Sequence, residues 1–330
     1  MLNQKHTLAL SILMVTFALS ACQPKVEKKE QEQKIEQKSS SEVEDTTLTL
    51  QGETEKIAVE LPECNGNSCP EFSVERLHTN QFVVDSIIDQ AILKNLEQIL
   101  DIAHQSKTVQ AEKEKTEQQQ EQQEQQASSS VIAANAAKTP VQSMAEQLKP
   151  YVKTFTALQQ ELESLGASSK ISVSVSPKIL NSKEPLATVV LNTSSYLGGA
   201  HGASAQTYFN FDLKHQKQVN LDDLIESGQK PQLEKLAYET FKTWVSTNKL
   251  ANSLEEYEQV WKFKLSNNFY LGKQGLILQY AEYEIGPYVV GLPRLEIPYE
   301  QLKMVLKKEY LPAELLVDQP ASAALPVAKN

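Results

Sequence analysis

Residues 189–213 read VVLNTSSYLGGAHGASAQTYFNFDL, and this stretch decides the fold of the larger folded part of the chain. An apolar run at 189–191 and a second run at 207–213 both have the composition of strands. In the second run Phe209, Phe211 and Leu213 share one face, because side chains alternate along a strand. The glycine-rich segment between the runs supplies backbone that turns or packs closely. The stretch therefore predicts two strands joined by a glycine-rich loop.

The residues on either side extend this pattern into a domain covering 169–312. Before the stretch, Ile171, Val173 and Val175 alternate with serines as in a half-buried strand. After it, helical and strand patterns follow one another. The expected helices are 233–245, 254–263 and 299–306, and the expected strands are 268–271, 275–285 and 294–297.

A smaller N-terminal domain is predicted over residues 46–168. Ile57, Val59 and Leu61 alternate with polar residues and predict a strand. Apolar residues at helical spacing predict helices over 82–102 and 141–165, with Asn80 as N-cap of the first and Gly166 closing the second. The expected class is α+β, with small mixed or antiparallel sheets, packed helices and two adjacent subdomains.

Three segments lack the apolar residues that a core needs. Residues 22–45 contain mainly Lys, Glu, Gln and Ser and predict a disordered tether. Residues 105–130 are rich in Glu and Gln and predict a disordered or solvated helical insertion, the alternative being a docking segment for a partner. Residues 313–330 are rich in Ala and Pro and predict a flexible tail.

The chain begins with the pattern of an exported lipoprotein. Lys5 precedes an apolar run at residues 7–19, followed by Leu19-Ser20-Ala21-Cys22. The run is shorter than the roughly 20 apolar residues that span a bilayer. The Leu-Ser-Ala-Cys order resembles a bacterial lipobox, so we expect residues 1–21 to be a signal peptide and Cys22 to carry the acyl chains of a membrane anchor. The alternative is an ordinary signal peptide beside an incidental cysteine.

Charge and the other two cysteines narrow the class of protein further. The formal net charge of −10 argues against a nucleic-acid-binding protein, because such binding needs Lys and Arg side chains that neutralise phosphates. Cys64 and Cys69 flank Asn65-Gly66-Asn67-Ser68, which contains a strong turn signal. In an oxidising compartment this pair predicts a disulfide closing a hairpin. The C-x4-C spacing does not match the C-x-x-C of a redox motif.

Two motifs in order resemble a known extracytoplasmic domain. The first is Tyr196-Leu197-Gly198-Gly199-Ala200-His201-Gly202, followed by Asn210-Phe211-Asp212-Leu213 and a Leu-Asp-Asp-Leu helix start. The second is Tyr283-Glu284-Ile285-Gly286-Pro287-Tyr288-Val289-Val290-Gly291. Over residues 170–312 the chain resembles the C-terminal domain shared by RsiV-type anti-sigma factors and PdaC-type peptidoglycan deacetylases. Residues 46–165 more faintly resemble their companion N-terminal domain. The resemblance implies an α+β module that binds a lysozyme-like protein or a peptidoglycan-related ligand.

The residue patterns give little support for catalysis. His201 lies among glycines, but a general base needs an orienting partner and a nucleophile, and no G-x-S-x-G or H-E-x-x-H pattern is present. We expect His201 to pin the turn by hydrogen bonding. Asp222 and Asp223 suit a helix N-terminus better than an acid–base pair. No metal or other cofactor is predicted.

Aromatic residues offer a binding surface instead. Tyr and Trp suit specific wet interfaces, although core packing is the commoner use. The aromatic candidates are Tyr280, Tyr283, Tyr288, Tyr299, Trp244 and Trp261. The candidate binding loop comprises Tyr196, Gly198, Gly199, His201 and Gly202, together with Tyr283 and Tyr288.

These observations favour a non-enzymatic, lipid-anchored binding protein of the cell envelope. In a cell with two membranes, Gln23 after the lipidated cysteine favours the periplasmic face of the outer membrane. The expected partner is a lysozyme-like protein or a peptidoglycan-related ligand. Two alternatives remain open, namely a hydrolase using His201 and an accessory scaffold in envelope assembly that docks through the Gln-rich insertion.

Overall fold

The structure of the protein is a computed structural model that describes residues 48–64, 69–100, 138–166 and 170–316. The described residues group into one compact unit. The predicted signal peptide, the tether, the Gln-rich insertion and most of the C-terminal tail lie outside the described residues. No helix in the described ranges is both long and apolar enough to cross a bilayer.

Runs of strands and runs of helices follow one another along the described chain. The strands are β1 (Gly52–Lys56), β2 (Glu71–Thr79), β3 (Ser172–Asn181), β4 (Ala187–Tyr196), β5 (Ala203–Asp212), β6 (Lys217–Val219), β7 (Phe269–Leu271), β8 (Gly275–Gln279) and β9 (Arg294–Pro298). The α-helices are α1 (Phe82–Ile99), α2 (Pro140–Ser164), α3 (Leu221–Leu224), α4 (Lys230–Thr247), α5 (Leu254–Glu258) and α6 (Tyr299–Leu302). Short 3-10 turns are Tyr288–Val290, Lys308–Tyr310 and Ala313–Leu315.

Two sheets organise these elements and confirm the predicted α+β class. The larger is mixed and has the order β1-β2-β3-β4-β5-β6, in which only β2 and β3 are parallel. The smaller is antiparallel, with the order β7-β8-β9. Because β2 pairs with β3, the larger sheet crosses the domain boundary that the sequence predicts near residue 168. Strands from both predicted domains thus share one sheet.

The apolar residues form two cores. In the first, helices α1 and α2 pack on one face of the larger sheet, with Ile88, Leu96, Phe155, Val175 and Val189 each fully buried. Complete burial of each such side chain stabilises the fold by about 1.5–3 kcal/mol. The second core lies between α4, α5, α6 and the smaller sheet. Strands β3, β4 and β5 supply side chains mainly to the first core. The residues after about position 215 supply nearly all of the second core.

Side-chain amides join β5 to β7 where the two sheets meet. Asn268 accepts a hydrogen bond from the backbone N–H of Tyr208 (2.8 Å) and donates one to the carbonyl of Gln206 (2.7 Å). The amide of Asn210 donates to the carbonyl of Phe269 at 2.8 Å. These bonds take the place of a strand ladder and fix β5 relative to the smaller sheet.

Helix ends show which capping predictions are correct. Gly166 has φ of +75° just after α2, as the closing role predicts. Asn80 does not cap α1; the N-cap is Gln81, which makes no side-chain cap hydrogen bond. Asn80 instead donates from its side chain to the carbonyl of Thr49 and accepts from the N–H of Gln51. Its amide thus holds the entry to β1, a contact that local spacing does not reveal.

Three further sequence predictions meet different outcomes. The strand predicted through Ile57 and Leu61 is shifted, since β1 ends at Lys56 and Ile57 makes the last backbone bond to β2. The strand predicted to run to Ile285 ends at Gln279, where a turn begins. The disulfide between Cys64 and Cys69 is confirmed, with Cα atoms 5.6 Å apart, while the turn at 65–68 lies outside the described residues.

Candidate functional site

The glycine-rich loop joins β4 to β5, and two of its glycines are required by close contacts. Gly198 has φ of +88°, and a Cβ atom there would lie 3.0 Å from Cδ1 of Leu162 on α2. A Cβ at Gly202 would lie 3.0 Å from the carbonyl oxygen of Ser195. A Cβ at Gly199 would meet nothing closer than 3.9 Å, so that glycine is not sterically required. The loop is therefore held against α2 and its own hairpin.

The second motif forms a turn that is pressed onto the second core. Burial raises the pKa of Tyr257 to about 12, so its hydroxyl stays protonated and donates to the carbonyl of Ile285 at 2.9 Å. A Cβ at Gly286 would lie 2.8 Å from that hydroxyl and 3.2 Å from Cη2 of Trp244. Only glycine lets the backbone approach this closely. The contact fixes the positions of the tyrosines on either side of Gly286.

The two motifs meet at the surface through four aromatic rings, which we call the aromatic row. His201 from the loop stacks on Tyr288, with ring centroids 4.7 Å apart and planes 23° apart. Tyr288 stacks on Tyr283 at 5.7 Å, and Tyr283 stacks on Trp261 at 6.4 Å. These distances lie within the range of favourable aromatic pairs. Residues separated by up to 87 positions in the chain thus form one continuous row.

Tyr283 is held in the row at an energetic cost. Its φ is +62°, in the left-handed region that is uncommon for bulky residues. Its side chain is nevertheless exposed, with 54% relative accessibility, so core packing does not explain why tyrosine stands there. Strained residues of this kind cluster at ligand-binding sites. Tyr283 is the strongest sign that the row serves recognition.

The other aromatic candidates lie outside the aromatic row. Tyr280 and Tyr299 are buried in the second core, and Trp244 packs against it. Tyr196 lies at the end of β4 opposite Ser172, and its ring makes no stacking contact with the aromatic row in the described structure. The structure therefore brings together His201, Tyr283 and Tyr288 from the predicted site and adds Trp261.

Titratable residues near the candidate loop form no acid–base pair. Among the described residues, no carboxylate lies within hydrogen-bonding distance of His201, whose predicted hydrogen bond to the turn is also not observed there. His215 hydrogen-bonds Asp212 at 2.6 Å in the turn after β5, and His78 lies 3.4 Å from Asp85 at the end of β2. No cluster of three or more metal-ligating side chains occurs within the described ranges.

Both paired aspartates lie in the first turn of α3, and the predicted capping contact is made by Asp223. Asp223 accepts a hydrogen bond from the backbone N–H of Asn220 at 2.8 Å and completes a capping box at the start of α3. Asp222 forms an ion pair with Lys230 at 2.8 Å. Glu284 accepts a hydrogen bond from the backbone N–H of Ala281 at 2.9 Å and so closes the turn over residues 281–284, which contains Tyr283. These carboxylates are engaged in local structure.

One charged residue at this surface was not identified from the sequence. Arg294 begins β9 and donates from Nε to Gln279 (2.7 Å) and from Nη2 to Gln206 (2.6 Å). Its Nη2 also lies 3.5 Å from the hydroxyl of Tyr208, whose ring stacks on Tyr270 at 4.4 Å. The composition offered a signal that arginine positions are special, since only two of the 32 Lys and Arg residues are arginine.

Comparison with known proteins supports the resemblance that the two motifs predict. Residues 222–300 match the model of a family described as "Protein of unknown function (DUF3298)", a range that contains the second motif but not the glycine-rich loop. The chain is also 22% identical over 162 residues to the peptidoglycan-N-acetylmuramic acid deacetylase PdaC of Bacillus subtilis strain 168. That match covers 48% of this chain and 34% of PdaC, so the chain spans about a third of the length of this relative.

Solved structures show the same fold. A DUF3298 family protein of Pseudomonas aeruginosa PAO1 superposes with a TM-score of 0.53 at 21% identity, covering 82% of this chain and 98% of that one. A DUF3298 family member from Bacteroides fragilis NCTC 9343 gives a TM-score of 0.51 at 17% identity, covering 80% and 96%. The predicted resemblance to a PdaC-like, DUF3298-type protein and the predicted fold class are therefore confirmed.

Proposed function

We propose that this protein is a non-enzymatic binding module of the cell envelope and that its aromatic row recognises a peptidoglycan-related ligand. The observation that carries the proposal is the stack of His201, Tyr288, Tyr283 and Trp261, in which His201 and Tyr283 are exposed and Tyr288 and Trp261 are half-buried, and which persists despite backbone strain at Tyr283. The name of PdaC, a peptidoglycan deacetylase and a distant relative, supports the choice of peptidoglycan.

The chemistry of the row suits a saccharide. Tyrosine and tryptophan present an apolar ring and a polar group, so they can contact the C–H face of a sugar and hydrogen-bond its hydroxyls. Next to His201, a cleft of about 580 Å³ has Ser194, Ser195, Ser204, Asn95 and Gln98 among its lining residues. Its volume falls within the range of small-molecule sites. An aromatic surface beside a cleft with serine and amide residues in its lining suits a glycan strand.

The test is binding of the purified chain carrying Cys22→Ser to insoluble peptidoglycan. Tyr283→Asn keeps a residue that tolerates positive φ while it removes the ring. Tyr151→Ala on α2 is the matched control, because Tyr151 is a half-buried tyrosine outside the row. We expect Tyr283→Asn to weaken co-sedimentation about tenfold, the scale of 1–1.5 kcal/mol. Equal retention of both variants would refute the role of the row.

A lysozyme-like protein is the second candidate ligand, and a specific observation favours it. Val289 and Val260 are 87% and 70% exposed, and Val289 directly follows Tyr288 in the aromatic row. Exposed apolar side chains next to tyrosines are typical of protein interfaces. Val289→Ser would weaken capture of lysozyme while leaving peptidoglycan binding unchanged. If Val289→Ser changes neither, the protein-binding alternative loses its support.

Placement in the envelope is part of the same proposal. The lipobox-like sequence before Cys22 supports a diacylated or triacylated N-terminus that anchors the protein in a membrane. Export of the intact chain and of its Cys22→Ser variant, followed by membrane fractionation, tests this. The variant should move to the soluble fraction, and mass spectrometry should find acyl chains only on the intact protein. An unmodified, freely soluble wild-type chain would overturn the anchoring proposal.

A further inference from the structure

We propose that Arg294 binds an anionic group of the ligand, specifically a carboxylate carried by a glycan. This inference rests on the proposed function, because it assumes that the ligand is a peptidoglycan-related glycan. It identifies the carboxylate of that glycan as the group that Arg294 binds. It adds a charged contact to the aromatic row and predicts selectivity between acidic and neutral glycans.

The two arginines of the chain show why Arg294 is available. Arg76 is 4% exposed and lies among carboxylates, with Asp89 at 3.0 Å, Glu55 at 3.8 Å and Asp85 at 3.9 Å. Its charge is balanced within the fold. Arg294 is exposed, and no carboxylate of the described residues lies within 4 Å of its guanidinium. Its positive charge is therefore not balanced by an ion pair, although the chain as a whole is acidic.

Neutral amides hold the Arg294 side chain in place. Gln279 is fully buried, and its Nε2 donates to the carbonyls of Tyr280 and Pro293 at 3.0 and 3.1 Å. Those bonds leave the Gln279 carbonyl oxygen to accept from Nε of Arg294. The orientation of this amide is thus set by the backbone and not by the arginine.

A second amide chain fixes the other side of the guanidinium. The Nδ2 of Asn192 donates to the carbonyl of Ser176 at 3.3 Å, and its Oδ1 accepts from Nε2 of Gln206 at 2.9 Å. The remaining oxygen of Gln206 must then face Arg294, which it binds through Nη2. Preorganisation of this kind lowers the entropy lost on binding. It also distinguishes Arg294 from an arginine that is simply solvated.

The open part of the guanidinium suits a carboxylate. Arginine has five N–H donors, and the bonds to Gln279 and Gln206 use Nε and Nη2. Within the described residues, Nη1 has no acceptor, so its two hydrogens remain for a ligand. Charge-assisted bonds to carboxylate are the strong class of hydrogen bond for this group. The nearest acidic residue on the same face of β9 is Glu296, which makes no ion pair with Arg294.

The surroundings of Arg294 continue towards the aromatic row. Ser204 and Gln206 lie on the same face of β5, since side chains alternate along a strand, and β5 begins two residues after His201. On the other side of Arg294, the ring of Tyr270 stacks on Tyr208. A polymer can therefore contact hydroxyls and aromatic rings along β5 and place a carboxylate at Arg294.

Two soluble glycans test the inference by titration calorimetry. The probes are chitotetraose, which is neutral, and a tetrasaccharide of the same length in which alternate sugars are N-acetylmuramic acid and carry a lactyl carboxylate. The protein is the chain carrying Cys22→Ser. We expect it to bind the acidic tetrasaccharide about tenfold to a hundredfold more tightly, which is the scale of a hydrogen bond to a charged group. This preference should decrease with added salt.

The decisive variant is Gln206→Glu, which places a carboxylate against Arg294 without removing the arginine. It should abolish the preference for the acidic glycan, with binding of chitotetraose unchanged. Gln301→Glu on α6 is the matched control, because it adds the same charge at an exposed position and should leave the preference intact. Arg294→Lys keeps the charge without the planar guanidinium and should lose most of the preference. The urea midpoint of each variant checks its folding.

The results separate the inference from the proposed function. Equal binding of both glycans by the unsubstituted site, with loss of both in Tyr283→Asn, would overturn the role of Arg294 and leave the aromatic row as the binding site. A preference that survives in Gln206→Glu would also overturn it. If neither glycan nor intact peptidoglycan binds, the proposed function and the inference both fail.

Discussion

The substitution Tyr283→Gly tests whether backbone strain is stored at Tyr283, because it removes the strain and the ring together. Tyr283 has φ of +62°, and the left-handed conformation costs a residue with a Cβ about 1–2 kcal/mol. Glycine adopts this conformation without that penalty. Against this gain, Tyr283→Gly loses two stacked pairs, worth about 1–3 kcal/mol together, and about 0.4–1 kcal/mol through the freer unfolded chain. The gain offsets a large part of these losses, so we expect the free energy of unfolding to fall by only about 1 kcal/mol.

Tyr288→Gly is the matched comparison for this prediction. Tyr288 also stacks on two rings, His201 and Tyr283, but it lies in a 3-10 turn where its φ is not positive. The same substitution there loses stacking and chain restriction with no strain to relieve. We expect Tyr288→Gly to lower the free energy of unfolding by about 1.5–4 kcal/mol, since two stacked pairs are lost.

Urea unfolding of the two variants measures the difference. The midpoint of Tyr283→Gly should fall less than that of Tyr288→Gly, by the equivalent of about 1–2 kcal/mol, with equal m-values. Both variants should bind peptidoglycan more weakly, because each removes a ring from the row. Equal losses of stability would show that Tyr283 stores no strain, and would remove the argument that function maintains it there.

Three further predictions concern the support of the site and of the fold. Gly286→Ala should destabilise the protein by about 1–3 kcal/mol and weaken peptidoglycan binding, because its Cβ would lie 2.8 Å from the hydroxyl of Tyr257; unchanged urea unfolding would contradict the close contact. Burial raises the pKa of Asp89, so the folded state binds this proton more tightly than the unfolded state. Stability of the wild type relative to Asp89→Asn should therefore rise as pH falls from 7 through the folded pKa, and urea midpoints at several pH values that move the other way would refute the sign. Replacing Cys64 and Cys69 by serine should cost about 2 kcal/mol on the chain-entropy account, and thermal unfolding with no change would show that this small loop is already constrained.

The sequence predicts the elements of this fold better than their partners. Helical spacing places α1 and α2 within three residues of their observed bounds, because their apolar faces repeat regularly. The parallel pairing of β2 with β3 joins residues about 100 positions apart, and no local pattern records it. The predicted boundary near residue 168 followed the change in local pattern, whereas the larger sheet forms across that position. Pairing over such distances depends on tertiary contacts that alternation does not encode.

The candidate site is likewise only partly predictable from the sequence. The motifs around His201 and Tyr283 carry glycines and aromatic residues in order, so the sequence identifies both segments as unusual. That they stack on each other, and that Trp261 extends the row, follows only from the turn that Gly286 permits.

Arg294 shows the limit more sharply, because a lone arginine at the start of a strand is an ordinary surface residue by pattern. Its contacts to Gln206 and Gln279 come from two different strands, 88 and 15 residues away. An amide has no charge that would mark it as a partner for arginine, so complementary charge patterns cannot find such a pair. Among carboxylates the same guanidinium would be neutralised, as Arg76 is by Asp89. The use of amides preserves a fixed positive charge on an acidic surface, and the Gln206→Glu variant tests whether that charge is what the ligand requires.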